Sequence, residues 1–190
     1  MRPVLAAVLA AVSVASIGVV AGCSNGTASA GGCVGPHTDL LDIRSVLHLL
    51  PGAPEPPYST DPPTSGAHRV GFYPRGVVDS PIGRPIQVAL LEKGFIVVQY
   101  RSDLGPAAQA ALAPLTALTP YLAVAPDPTL PDAVVATSWL HDLRCGGTGP
   151  AALAAIRRFV TGRVGQGAEP TVPLSATTPG GVTTTTAPTP

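Results

Sequence analysis

The side chains in this sequence that could do chemistry are three thiols, four imidazoles and one serine within a Thr-Ser-Gly segment. The thiols belong to Cys23, Cys33 and Cys145. A thiol can be acylated, can form a disulfide or can bind a metal ion. Ser65 has no G-x-S-x-G elbow around it and no histidine and acid at a recognised catalytic spacing. We therefore expect no catalytic residue.

The charge balance excludes one large class of partners. The 190 residues include 11 Lys plus Arg and 11 Asp plus Glu, which gives a formal net charge of zero at pH 7. A nucleic-acid-binding protein needs a basic surface to neutralise phosphates, so we expect no nucleic acid as a partner. The length suits one modest domain.

The residues before Cys23 are typical of a secretory leader. Arg2 precedes an apolar run from Val4 to Ala21 that only serine and glycine interrupt. The sequence Val-Ala-Gly-Cys that ends at Cys23 resembles the bacterial lipobox, in which the cysteine is acylated and becomes the new N-terminus. We expect residues 1–22 to be a lipoprotein signal peptide and Cys23 to carry the lipid, including palmitate. The alternative is a single transmembrane anchor, for which 18 residues are at the short limit.

The remaining cysteines form an even pair. Outside the reducing cytoplasm, Cys33 and Cys145 favour a disulfide, and two free thiols or two metal ligands are the alternatives. A bridge between them would close a loop over most of the domain. The chain-entropy model gives such a loop about 4 to 5 kcal/mol of stabilisation.

Composition divides the processed chain into three parts. Residues 23–36 are rich in Gly, Ser and Ala and predict a flexible tether, while residues 37–166 predict a single folded domain. Residues 167–190 are rich in Thr and Pro and have almost no charge. Such a segment buries too little apolar surface to offset the entropy of ordering it, so we expect a disordered tail.

Two patterns in the first half of the domain predict a helix and a hairpin. A short helix is predicted to start after Thr38 or Asp39 and to stop at Pro51, with one apolar face formed by Leu40, Ile43, Leu47 and Leu50. The apolar runs 86–91 and 95–100 are rich in β-branched and aromatic residues and flank a turn at Gly94. They predict a β-hairpin.

The second half predicts two helices and two strands. Residues 106–118 form an Ala-rich helix candidate that Pro114 would bend or divide, and residues 150–164 form the last helix. Strands are predicted at 121–125 and 133–140. The whole domain is therefore expected to be α+β, with a small, mostly antiparallel sheet and the helices packed on one of its faces.

The order of these segments carries a family resemblance over roughly residues 45 to 165. The run Asp-Pro-Pro-Thr-Ser-Gly-Ala-His that ends at His68 is similar to the P-P-T-S-G-P-H motif of domain-of-unknown-function family 3105, with Ala67 in place of the last proline. This family is a secreted or membrane-tethered bacterial group. It also has a histidine upstream of a tyrosine before that motif, and His48 and Tyr58 correspond to this pair.

A second family motif is altered here. Residues 88–94 match V-H-x-L-E-H-G in frame, but Ala89 and Lys93 stand where the family has histidines. The family pattern implies converging imidazoles that could bind zinc or copper. Of that ligand set, this sequence keeps only the three residues His48, His68 and Glu92. A protonated Lys93 cannot replace a histidine ligand.

Each of the three has a simpler interpretation. His68 follows a tight turn, where its ring could satisfy buried carbonyl groups. His48 would lie on the solvent side of the predicted short helix. Glu92 beside Lys93 would be a solvated pair in the hairpin turn, or a buried carboxylate hydrogen-bonded to the loop around Ser65.

We therefore expect a cell-envelope lipoprotein on the extracytoplasmic face of the membrane, carrying a non-catalytic binding or interaction module without a cofactor. Its binding surface would be the groove between the loop of His68 and the segment of Glu92. The alternative is a metal-binding envelope protein that holds zinc or copper through these residues and His48. The expected partners are the membrane, through the lipid, and an envelope ligand or protein that the sequence does not specify.

Overall fold

The structure is a computed structural model that describes residues 28–29 and 32–171. The predicted signal peptide, Cys23 and residues 172–190 of the predicted tail lie outside this part of the chain. Among the residues that the structure describes, no helix has the length and apolar character needed to cross a membrane.

One seven-stranded sheet forms the centre of the domain, in the order β1-β2-β7-β6-β4-β5-β3. Its strands are β1 Ala28–Ser29, β2 Cys33–Thr38, β3 Gly76–Val77, β4 Ile96–Arg101, β5 Leu122–Asp127, β6 Val134–Ser138 and β7 His141–Cys145. Along this order, the first five strands, β1, β2, β7, β6 and β4, pair antiparallel with their neighbours. Strand β5 pairs parallel with both β4 and β3. The α+β class is confirmed, and the sheet is mixed rather than mostly antiparallel.

Three α-helices accompany the sheet: α1 Arg84–Glu92, α2 Gly105–Leu112 and α3 Pro150–Arg163. Short 3-10 helices lie at Ile43–Val46, Ser102–Leu104 and Ala113–Leu118. The predicted break near Pro114 is confirmed, because α2 ends at Leu112 and continues as a 3-10 helix. This crossover from β4 to β5 is what allows those two strands to run parallel.

The helices lie against both faces of the sheet, whereas the sequence predicted one face. Leu143 of β7 shares a cavity wall with Ala155 and Phe159 of α3. Gln87 of α1 donates instead to the hydroxyl of Thr137, at 3.3 Å. Thr137 is the cross-strand partner of Asp142, so the two side chains lie on the same face of the sheet. Leu143 follows Asp142 in β7 and therefore points to the opposite face. Helix α1 therefore packs on the face opposite to α3.

The predicted hairpin over 86–100 is wrong, because its first half is helix α1. The side chains from Gln87 to Glu92 are all buried, and the predicted run 86–91 has one polar residue among six, so this short run alone does not separate a helix from a strand. Pro85 lies in the first turn, where a helix accepts proline. Gly94 does take a positive φ, of 82°, but it ends the helix: its amide donates to Leu91, and the amide of Phe95 donates to Leu90.

The predicted helix over 38–50 is also wrong, apart from one 3-10 turn. The backbone groups that a helix would use are engaged elsewhere. The amide of Leu49 donates to the carbonyl of His68 at 2.7 Å, and the Leu47 carbonyl accepts from the amide of His68 at 3.1 Å. The turn is capped by Asp42, whose carboxylate accepts from the amide of Arg44, and not by Thr38 or Asp39.

The folded part begins earlier than the predicted boundary at residue 37. Residues 28–29 and 33–36, which the sequence assigned to the tether, belong to β1 and β2. The predicted disulfide is present in the structure: Cys33 and Cys145 are partners in the β2–β7 register and are bonded across 112 residues of sequence. The bridge therefore ties the first long strand to the last one.

Candidate metal centre

The structure brings the three predicted ligand residues together. His48, His68 and Glu92 each offer a ligand atom, and these atoms all lie within 4.8 Å of one another. His68 is fully buried, Glu92 is 5% exposed and His48 is exposed. A half-open cluster of two imidazoles and one carboxylate is a donor set that suits zinc or copper.

The loop that ends at His68 is buried and held by polar contacts. Residues 62–68 are all buried. The Thr64 hydroxyl donates to the Asp39 carboxylate at 2.8 Å, the amide of Gly66 donates to the Ser45 hydroxyl at 2.9 Å, and the Tyr58 hydroxyl donates to the Ala67 carbonyl at 2.8 Å. Hydrogen bonds therefore hold the loop at Thr64, Gly66 and Ala67, and they set the position of the His68 backbone.

Ser65 has a structural task in the same loop. Its hydroxyl oxygen accepts a hydrogen bond from the amide of Asp42 at 3.0 Å. This contact fixes the start of the 3-10 turn that leads to His48, and it gives no support to a nucleophilic role.

His48 is positioned beside the site by a backbone β-bridge to His68, and it does not lie in a helix. His48 and His68 form an isolated parallel β-bridge, and the centroids of their rings are 4.8 Å apart at an interplanar angle of 69°. The sequence predicted His48 on the solvent side of a helix. The side chain is indeed exposed, but the bridge places it beside the buried ring of His68.

Glu92 is the last residue of α1, and its carboxylate is buried rather than solvated as the simpler interpretation held. The chain after α3 covers this end of the helix: the amide of Glu169 donates to the Glu92 carbonyl at 2.9 Å. The contact is close, since a Cβ added at Gly167 would be 2.1 Å from the same carbonyl oxygen. Burial of Glu92 therefore depends on the segment 165–171.

The central feature of the site is the close approach of two buried side-chain atoms, Nε2 of His68 and Oε2 of Glu92. His68 Nδ1 lies 3.2 Å from the Gly66 carbonyl, and donation of a proton there leaves a lone pair on Nε2. That Nε2 atom lies 3.0 Å from Glu92 Oε2, and neither buried atom has another hydrogen-bond partner. Two facing lone pairs repel unless a proton or a cation lies between them.

The distances are compatible with a tetrahedral metal ion, as they are with a proton shared by His68 and Glu92. Tetrahedral zinc, with ligand atoms at about 2.0 to 2.1 Å, separates neighbouring ligand atoms by about 3.4 Å. The His68–Glu92 distance requires only a small change, and the exposed ring of His48 has to move inward. The hydrogen bond from Nδ1 to a backbone carbonyl is also the usual support of a histidine that binds metal through Nε2.

Two residues of the cluster, His48 and Glu92, line a cavity of about 430 Å³, whose other walls are formed by Leu41, Ser45, Val46, Trp139, Ala168 and Glu169. The wall combines apolar side chains with the carboxylates of α1 and of the covering segment. Glu169 was not a candidate in the sequence, because it stands in a Pro- and Gly-rich stretch that predicted only a tail.

Lys93 brings a positive charge to the edge of the site. Its Nζ lies 2.7 Å from Glu169 Oε2 and 3.7 Å from Glu92 Oε2. The hydrogen bond to Glu169 raises the pKa of Lys93 above its usual value, and the same contact lowers the pKa of Glu169. Lys93 therefore stays charged and competes with a metal ion for the neighbouring carboxylates.

Helix α1 also explains the spacing of the second motif. Positions 89, 92 and 93 are separated by three and four residues, so in a helix they share one side. A strand would have placed position 92 on the face opposite to 89 and 93. This spacing is a signal for a helix that the apolar runs alone do not give.

The fold and the site together define a class of protein. It is a small α+β domain in which a buried histidine–carboxylate pair lies beside an exposed histidine. The family model described as "Protein of unknown function (DUF3105)" matches residues 55–176. The chain belongs to this family, as the sequence motifs predicted. Comparisons with curated proteins and with solved structures gave no match.

Proposed function

We propose that this protein is an extracytoplasmic lipoprotein, anchored through Cys23, whose domain binds one transition metal ion at His68, Glu92 and His48. The metal would be zinc or copper, and the role is binding without catalysis. The observation that carries the metal proposal is the 3.0 Å approach of His68 Nε2 and Glu92 Oε2, which are both buried and have no other hydrogen-bond partner, with the ring of His48 beside them. A bound cation removes their repulsion.

The anchor is supported by the sequence before Cys23 and by the chemistry of the remaining cysteines. The apolar run and the lipobox-like end are features of a lipoprotein leader. A disulfide between Cys33 and Cys145 is stable in an oxidising compartment and rare in the cytoplasm.

Lys93 favours a second candidate function. Its ammonium group lies close enough to Glu92 to offset part of the carboxylate charge that a metal needs. In that case a proton bridges His68 and Glu92, and the cavity lined by Leu41, Val46 and Trp139 receives an envelope ligand or protein.

Metal analysis of the full chain separates the two candidates. The protein is purified without chelator and without a metal-affinity tag, its zinc and copper are quantified, and binding of each ion is measured by titration calorimetry. We expect one ion per chain. We also expect His68→Ala and Glu92→Gln to weaken binding by more than about 100-fold, since each removes a ligand.

His37→Ala is the matched control, because His37 is an exposed histidine on β2 that is not part of the cluster. It is expected to bind metal as the unchanged protein does. A protein that neither retains nor binds zinc or copper would contradict the metal proposal and leave the interaction module.

The anchor is tested separately. Mass spectrometry of the N-terminal peptide is expected to show acyl chains on Cys23, and Cys23→Ser is expected to leave the membrane fraction. Full retention in membranes of a Cys23→Ser chain from which residues 1–22 have been removed would show that the lipid anchor is wrong or redundant.

A further inference from the structure

The segment of residues 40–50, which we name the apolar ridge, exposes large hydrophobic side chains on a fixed backbone. Leu40 is 91% exposed, Ile43 is 86% exposed and Val46 is 83% exposed. Leu41, Leu47 and Leu50 are also exposed. A cluster of exposed apolar side chains of this size usually marks a surface that contacts another molecule or a membrane.

The ridge is held in place by the rest of the domain. The amide of Asp39 donates to the Leu140 carbonyl at 2.8 Å, just before the ridge, and Leu49 is bonded to the backbone of His68 near its end. The two charged side chains within it neutralise each other, since Arg44 Nε donates to Asp42 Oδ1 at 2.9 Å. The charges of Asp42 and Arg44 thus cancel on this apolar surface, and His48, near its end, belongs to the proposed metal site.

The N-terminal end of β1, the first described segment of the chain, points towards the ridge. In the antiparallel β1–β2 pair, Ala28 is the partner of Val34 and Ser29 is the partner of Cys33. Towards the N-terminus, β1 therefore runs along β2 in the direction of Thr38, where the ridge follows. Residues 23–27 link Cys23 to β1, and five residues span at most about 18 Å.

We infer that the apolar ridge contacts the lipid bilayer and sets the orientation of the domain on the membrane. This inference rests on the proposed lipid anchor at Cys23, which would hold the domain within the reach of that short link. Leucine, isoleucine and valine side chains without net charge suit insertion into the interfacial region of a bilayer. Residues 172–190 are rich in Thr and Pro and offer few large apolar side chains that could pack against such a surface.

Quenching of tryptophan fluorescence by brominated lipids tests the contact. The full chain, processed by the cell, is reconstituted in vesicles of phosphatidylethanolamine and phosphatidylglycerol with brominated acyl chains. Ile43→Trp places a probe on the ridge. Val77→Trp is the matched control, because Val77 is 40% exposed and lies on β3, at the opposite edge of the sheet from β1. The signal of Trp139 is subtracted with the unchanged protein.

We expect quenching of Ile43→Trp to exceed that of Val77→Trp by about twofold or more, since bromine quenches only close to the probe. Equal quenching in a chain whose Cys23 is acylated by mass spectrometry would overturn the ridge inference and leave the anchor standing. A chain without acyl groups that leaves the vesicles would overturn both.

A second copy of this chain is the other occupant to exclude. The Cys23→Ser form of Ile43→Trp is examined without lipid, by sedimentation velocity and by quenching with aqueous acrylamide. A monomer with an accessible probe is expected. A dimer in which the probe at position 43 is protected from acrylamide would overturn the bilayer contact in favour of self-association.

Discussion

The ring of Tyr58 packs so closely against Gly66 that no side chain fits between them. A Cβ added at Gly66 would lie 2.9 Å from Cδ1 of Tyr58, and Gly66 has a φ of +131°. Both the backbone conformation and the contact therefore require glycine. Because the Tyr58 hydroxyl also holds the Ala67 carbonyl, this pair fixes the residue directly before His68.

The first prediction is that Gly66→Ala destabilises the fold and weakens metal binding. The matched control is Gly71→Ala, since Gly71 has a φ of +136° but open space around its Cα. We expect a loss of about 1 to 2 kcal/mol for Gly71→Ala from backbone strain alone, and about 3 kcal/mol or more for Gly66→Ala. Unfolding in guanidinium chloride and zinc titration measure the two effects. Equal losses for both variants would contradict the role of the Tyr58 contact.

The second prediction concerns alkaline pH. Burial raises the pKa of Tyr58 from 10.0 to about 12, so the folded state holds this proton more tightly than the unfolded state does. The resulting stability is fully present below pH 10 and is lost as the pH rises towards 12. Denaturant unfolding between pH 8 and 12 is expected to show this decline.

Tyr58→Phe is the control for this pH dependence. It removes the titrating group and the hydrogen bond to Ala67, so we expect a loss of about 1 kcal/mol at neutral pH and a shallower alkaline decline. Tyr100, whose pKa is also raised by burial, remains in the variant and gives the background. An unchanged alkaline decline in Tyr58→Phe would show that another group causes it.

The parts of the fold that the sequence predicted well are those where one local signal dominates. Helix α3 follows from Pro150 at its start and an apolar stripe, and it was predicted almost to the residue. Helix α1 was missed because the run 86–91 is short and almost entirely apolar, a pattern that a buried strand shares with a buried helix. The helix over 38–50 was predicted from a period that is real in the sequence, yet its apolar side chains face outward, because the backbone is bonded to His68.

The candidate site was predicted in its residues but not in its geometry. The family motifs selected His68 and Glu92, and no local pattern indicated that the ring of His68 and the carboxylate of Glu92 would meet at 3.0 Å. That contact joins a proline-rich loop to the end of a helix. The same end of the helix is covered by residues 165–171, whose backbone contacts with residues 92–94 are long-range and are not revealed by composition.

The third prediction is that Lys93→Gln increases metal affinity. Charges of +1 and +2 about 6 Å apart repel by about 1.4 kcal/mol even in a dielectric like that of water, so removal of the ammonium group is expected to tighten zinc binding about tenfold. Lys93→Arg keeps the charge and is expected to bind zinc as weakly as the unchanged protein.

Glu169→Gln separates the charge of Lys93 from its hydrogen bond. This variant weakens the Lys93 contact but leaves the ammonium group beside Glu92, so zinc affinity is not expected to rise. Zinc titrations of the three variants under the same buffer and salt make the comparison. A rise in affinity for Glu169→Gln equal to that for Lys93→Gln would attribute the effect to release of the covering segment.

The fourth prediction is that the Cys33–Cys145 bridge stabilises the domain without taking part in metal binding. The bonded cysteines are separated by 112 residues, so reduction frees a long loop in the unfolded chain and is expected to lower the free energy of unfolding by about 2 to 5 kcal/mol. The double variant Cys33→Ala, Cys145→Ala tests this in guanidinium chloride. Zinc affinity is expected to stay unchanged, because the candidate site consists of His48, His68 and Glu92 and contains no cysteine. A double variant that keeps full stability but loses zinc would instead assign the cysteines to the metal.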